Sequence, residues 1–167
     1  MPRRPNLILL MADDHRSDAL SCAGDAVATP HLDALAAAGT RCRDARIMGG
    51  HSPAVCVPTR AALNTGRDPF RTSVGLGSYR EIGTLRADAV TLGEHLGGAG
   101  WRTFHTGKWH LDAGALNRSF QEASRVFLGG MGDHHGLRLA ERDPRGAYPD
   151  AARVVDGRHS KIGRAHV

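Results

Sequence analysis

The first apolar run, "NLILLM" over residues 6–11, is unbroken rather than alternating. A run of that length predicts a strand covered on both faces, as in a parallel sheet. It stops at "ADDH", residues 12–15. Helical spacing begins in "TPHLDALAAAG", residues 29–39, with Thr29 as N-cap, Pro30 in the first turn, Leu32 and Leu35 on one face and Gly39 as the stop. "CRDARI", residues 42–47, predicts a short strand. "CVPTRAALNTG", residues 56–66, predicts a turn into a short helix closed by Gly66. "TLGEHLGGAG", residues 91–100, predicts another helix, with Thr91 and Glu94 at capping-box spacing. "WRTFHTG", residues 101–107, reads as a strand that runs directly into "KWH", residues 108–110. This alternation predicts an α/β fold built on a mostly parallel sheet flanked by helices. Past residue 112 the pattern loosens. "FLGGMGDHHG", residues 127–136, reads as a Gly- and His-rich loop, and residues 141–157 carry turn signals without a core face.

Composition narrows this picture only at a few points. The chain has 167 residues, 41% hydrophobic and 23% charged, ordinary for a globular domain or part of a larger one. Its net charge of +5 comes from scattered arginines, with no basic run and only 5% aromatic residues, which argues against a nucleic-acid partner. No apolar run is long enough for a membrane span. The run Leu7–Ala12 is too short for the apolar core of a secretion signal, so the sequence shows no export leader and the default compartment is the cytoplasm. Three cysteines, Cys22, Cys42 and Cys56, form no CxxC pair and cannot all pair with one another. Against twenty arginines stand two lysines, Lys108 and Lys161. The last six residues, Ile162–Val167, are those a common sequencing adaptor encodes, so the native segment is expected to be residues 1–161 and the tail non-native.

Two clusters offer chemistry. Asp13 and Asp14 follow the first predicted strand, at the sheet edge where ligands bind in open α/β folds. Adjacent carboxylates there suit a hard divalent cation; alternatively they cap a solvated turn. Cys56, at the N-terminus of its predicted helix, sits where free N–H groups and the helix dipole favour an anion. Arg60 adds a cationic fork suited to a tetrahedral oxyanion. A small buried hydrophobe and an activated thiolate nucleophile are both open readings of Cys56.

"CVPTRAALNTGR" resembles the sulfatase signature, C-x-P-S-R followed by a short helix ending in T-G-R. "RPNLILLMADD", "ATPHLDALAAAGTRC" and "GWRTFHTGKWHL" resemble, in the same order, the family's opening strand with its metal-binding aspartates, its next helix and its G-K-W-H element. The resemblance runs over roughly residues 4–135 and implies the N-terminal portion of an alkaline-phosphatase-like sulfatase fold. It implies that Cys56 is oxidised to formylglycine by a maturation enzyme that reads Cys56, Pro58 and Arg60. The hydrated aldehyde would attack the sulfur of a sulfate ester, and loss of its second hydroxyl proton would expel sulfate. It further implies that Asp13 and Asp14, with residue 56, bind a divalent metal, Ca2+ in most of the family or Mg2+. Arg60 would hold the aldehyde hydrate, Lys108 would contact hydrate or sulfate, and His110 would accept the proton that triggers release.

Three features depart from the family pattern. Thr59 stands in place of serine, Asn64 in place of an apolar residue and facing a neighbouring loop, and "GDHHG", residues 132–136, imitates a later metal motif without its preceding strand. The expected activity is hydrolysis of a sulfate ester, with a sulfated carbohydrate among the candidate substrates. Residues 1–161 alone are expected to be inactive and poorly folded. The alternatives are a phosphonate monoester or phosphodiester hydrolase of the same superfamily, and a non-catalytic binder of sulfated carbohydrate in which Cys56 stays a thiol.

Overall fold

A computed structural model describes residues 4–24, 26–49, 55–74, 82–132, 136–143 and 145. The chain divides into two compact units, the first built from residues 1–45 and the second from residues 46–162.

In the first unit a 3-10 turn, Ser21–Ala23, precedes helix α1, Pro30–Ala38. Pro30 opens α1 as expected, but Thr29 does not cap it by accepting a bond from the first turn. Its hydroxyl donates instead to Asp33 Oδ1 at 3.0 Å and pairs with Ser21 Oγ at 2.9 Å. Asp33 also accepts from the Cys22 N–H at 3.0 Å and from the Ser21 hydroxyl. The Ser21 hydroxyl, more than any other group, holds the Asp33 carboxyl below the usual carboxylate range. This polar knot fastens the turn to the helix, so α1 is held by hydrogen bonds at its start and buries no residue.

Two expected strands are not formed. Residues 6–11 and 42–47 carry no ladder hydrogen bonds, and the apolar run is exposed, with Ile8 at 82% and Leu10 at 81%. A strand exists only through its neighbours. No described residue pairs with either segment.

The second unit holds the core. Helix α2, Cys56–Thr65, ends on Gly66 in the left-handed conformation, φ 66°, whose N–H reaches Ala62 O at 2.8 Å. A short helix α3, Pro69–Thr72, leads into β1, Ser73–Val74, which pairs antiparallel with β2, Thr84–Leu85. Helix α4, Leu92–Gly98, starts with the full capping box: the Glu94 N–H donates to Thr91 Oγ1 at 3.2 Å, and the Thr91 N–H to Glu94 Oε2 at 2.8 Å. Strand β3, Phe104–Lys108, helix α5, Ala113–Ser119, and strand β4, Glu122–Phe127, then form a crossover unit with β3 and β4 parallel. Helix α5 and strand β4 lie in the stretch whose sequence pattern is loose, and they complete the parallel arrangement the α/β reading requires.

The core joins α2 to this crossover. Val57 and Ala61 of α2 pack with Leu85, Trp109, Leu111, Ala115, Leu116, Ala123 and Val126. Arg118 ties α5 to the start of α4, donating to Ala89 O at 2.9 Å and to Glu94 Oε2 at 2.7 Å. At Gly93 a β-carbon would lie 2.1 Å from the Ser119 carbonyl oxygen, so α4 approaches the end of α5 too closely for any side chain. Among the described residues no helix is long and apolar enough to cross a membrane.

Candidate active site

Helix α2 begins at Cys56, which places the half-buried thiol at the helix N-terminus that the sequence indicates. Strand β3 ends at Lys108, and the Lys108 ammonium donates to Cys56 Sγ at 3.4 Å. Residues 52 positions apart thus meet because α2 packs on the β3–α5–β4 crossover.

Arg60, one turn along α2, is buried at 7% exposure and donates through Nη1 to the Lys108 carbonyl oxygen. A buried guanidinium is retained only when its N–H groups are satisfied. Here one of them fixes the backbone of the residue whose ammonium reaches Cys56. Asn64 lies one turn further on; its side chain donates to Arg60 O at 2.9 Å, not to a neighbouring loop as the sequence suggests. Pro58 occupies the third position of α2, where a missing N–H costs no helical bond.

His110 follows two residues after Lys108, buried at 2% exposure, with φ 58°. A left-handed histidine backbone is uncommon and costs of the order of 1–3 kcal/mol. It is held by its surroundings: the Gly83 N–H donates to His110 O at 3.4 Å, the Trp109 N–H to Phe127 O at 2.8 Å, and Trp109 Nε1 to Asp112 O at 3.0 Å. The backbone therefore turns sharply between Lys108 and Leu111 and fixes where His110 stands.

Asp13 and Asp14 belong to the first unit, and Asp14 has φ 51°. Their carboxylates are hard oxygen donors of the kind a divalent cation takes. Among the described residues no group of three or more His, Cys, Asp or Glu side chains converges, so the pair supplies part of a ligand set. The three central residues of "GDHHG" lie outside the described residues.

The structure adds parts that the motifs do not show. The β3–β4 register slips between Thr106 and Gly107: Thr106 faces Ser124, and Gly107 faces Val126. Arg125 is the extra residue of this bulge, with φ 52°, and Gly107 answers it with φ 91°. A bulge bends its strand and re-aims the side chains beyond it, and the side chain immediately beyond this one is Lys108. His105 lies on the same strand, its ring 5.2 Å from that of Trp109 and 5.1 Å from that of Phe120. Burial first, and then the nearby Arg60 charge, push its pKa down to about 4. The only sequence sign of this device is a Gly directly before Lys108.

The sulfatase family model matches residues 5–138. Human arylsulfatase A is 40% identical over 119 residues, covering 67% of this chain and 22% of the relative. Mouse steryl-sulfatase is 38% identical over 122 residues, covering 66% and 18%. The ulvan-active sulfatase of Formosa agariphila is 38% identical over 112 residues, covering 66% and 20%. The chain belongs to the sulfatase family. It spans about a fifth of the length of these curated relatives.

Proposed function

We propose that the complete protein hydrolyses sulfate esters at residue 56, after Cys56 has been converted to formylglycine by a maturation enzyme reading Cys56, Pro58 and Arg60. The supporting observation is the meeting of Lys108 Nζ and Cys56 Sγ at 3.4 Å, with Arg60 bracing the Lys108 backbone. A hydrated aldehyde supplies an oxygen nucleophile and a route for releasing bound sulfate, which a thiol lacks. The site suits it: an oxygen replacing Sγ would stand at a helix N-terminus and beside an ammonium, both favourable to developing negative charge.

The chain's own residues divide the remaining work. Lys108 holds the anionic oxygens of sulfate against residue 56. Arg60 keeps Lys108 in place from the buried side. His110, fixed by its backbone turn, takes the proton from the hydroxyl borne by residue 56 as sulfate leaves. Asp13 and Asp14 would contribute carboxylates to a divalent cation, Ca2+ before Mg2+, whose charge offsets that of the sulfate. The ester group is read as aryl, steryl or carbohydrate in kind, since the relatives' own names span arylsulfatase, steryl-sulfatase and ulvan-active sulfatase.

The test has two stages. Mass spectrometry of the Cys56 peptide, from protein co-produced with a formylglycine-generating enzyme, is expected to show loss of sulfur. The complete enzyme is then expected to turn over an aryl sulfate faster than an aryl phosphate diester, with Lys108→Met slower by roughly 100- to 1,000-fold. A retained thiol with no sulfate turnover would leave a binding protein. Faster cleavage of the phosphate diester would move the protein to the neighbouring hydrolase class.

A further inference from the structure

His105 is a buried histidine that the reaction as derived does not use. Its Nε2 is enclosed and has no hydrogen-bond partner among the described residues. The ring does bond to the backbone of Gly107, which leaves Nδ1 as the atom that makes this bond. Its faces and edges are taken by Trp109 at 5.2 Å and Phe120 at 5.1 Å, which themselves meet edge-on at 5.8 Å. The ring is therefore wedged between the residue that follows Lys108 and the residue that closes α5, and bonded to the bulge that precedes Lys108.

Nothing in the core requires an imidazole there. A leucine or phenylalanine would fill the space without enclosing a bare ring nitrogen, whose desolvation is a cost. What an imidazole adds is a single short-range donor aimed at Gly107, whose φ of 91° is open to glycine and strained for any other residue. The bulge has one consequence for the site: it sets the direction in which Lys108 leaves the strand.

We propose that His105 is a positioning residue, a neutral imidazole that locks the Gly107 bulge by a hydrogen bond and so aims the Lys108 ammonium at residue 56. It acts through Lys108 and touches no reacting atom. Its catalytic meaning rests on the sulfatase reading of the Lys108–Cys56 pair, while the geometry it claims can be tested without turnover.

The test measures that geometry in the unmodified chain. A heterobifunctional amine–thiol reagent with a spacer of one carbon joins Lys108 to Cys56 only when the two are held close, and peptide mass spectrometry reads the yield. His105→Phe keeps a ring and loses the donor, so the yield is expected to fall roughly fivefold or more, in keeping with the steep dependence of such reactions on approach. His105→Asn keeps a donor at the Nδ1 position and is expected to restore most of the yield. An unchanged yield in His105→Phe would overturn the proposal, as would an equal loss in both variants.

If His105→Phe fails to fold, the unsubstituted protein decides. The nitrogen chemical shifts of its His105 ring at neutral pH are expected to show the tautomer protonated at Nδ1. A proton at Nε2 would remove the donor from Gly107 and overturn the assignment. Loss of the cross-link together with normal aryl sulfate turnover in the complete enzyme would instead sink the role given to Lys108, and leave His105 as its positioner.

Discussion

Helices α1 and α2 carry the same kinds of local signal, a proline in the first turn and a closing glycine, yet they end in different circumstances. Pro30–Ala38 buries no residue, and Leu32 and Leu35 face solvent. Cys56–Thr65 buries Val57, Pro58, Arg60 and Ala61. The apolar spacing of α1 is, if anything, the plainer of the two. Local sequence decides that a helix forms and where it stops, but its burial is decided by what the rest of the fold brings to it. In the second unit the β3–α5–β4 crossover supplies that surface, and the reactive cysteine is fixed because its helix is packed there. In the first unit the knot of Ser21, Thr29 and Asp33 holds one end of the helix, and the apolar face has no cover among the described residues.

The contrast is broken most directly at the middle of the packed region. Trp109 is 1% exposed and lies in the cluster that joins α2 to the crossover. Trp109→Ala is expected to cost about 3–5 kcal/mol, read as the fall in urea midpoint of the second unit. A shift below about 1 kcal/mol would mean that α2 is not held by this cluster, and the two helices would then differ less than their burial indicates.

Acid gives the next largest effect. His105 titrates at about 4 in the folded protein against about 6.5 for an ordinary imidazole. The unfolded chain therefore takes up the proton first. Stability is unaffected by this group above about pH 6.5, falls as pH drops from there towards 4, and loses no more below it. The total is of the order of 3 kcal/mol. Urea titrations at pH 7 and pH 4.5 are expected to show this loss, and His105→Phe to show less of it. Equal pH dependence in both proteins would mean that the imidazole is not enclosed.

Much of the fold was legible in the sequence, and the exceptions share a cause. Helices α1, α2 and α4 stand close to their sequence bounds because caps, prolines and glycines are local signals. The strand at residues 6–11 is absent from the described ladders because apolar content states only that a segment seeks cover, not which strand supplies it. Strand β4 was missed for the opposite reason. "EASRVF" buries only Ala123 and Val126 and carries Arg125 in the left-handed region, so neither alternation nor an apolar run marks it. At the site, Cys56, Arg60 and Lys108 were read from motif and are brought together, whereas the Gly107 bulge and the His105 bond are tertiary facts. Lys108 could be singled out from composition, but its aim could not.

The smallest effects sharpen the comparison best, since they separate local from tertiary support. Thr91→Ala removes one arm of the α4 capping box at a residue that is 1% exposed, and is expected to cost about 1 kcal/mol. Leu35→Ala, on the face of α1 that sequence spacing marks as apolar, removes a larger side chain that is 68% exposed. A buried leucine would cost about 2–5 kcal/mol on truncation. Here the change is expected to stay within about 0.5 kcal/mol, helped by the higher helix propensity of alanine. Urea denaturation followed by helical circular dichroism compares the two variants directly. If Leu35→Ala costs more than Thr91→Ala, then α1 is covered in solution, and its apolar face belongs with that of α2 rather than in contrast to it.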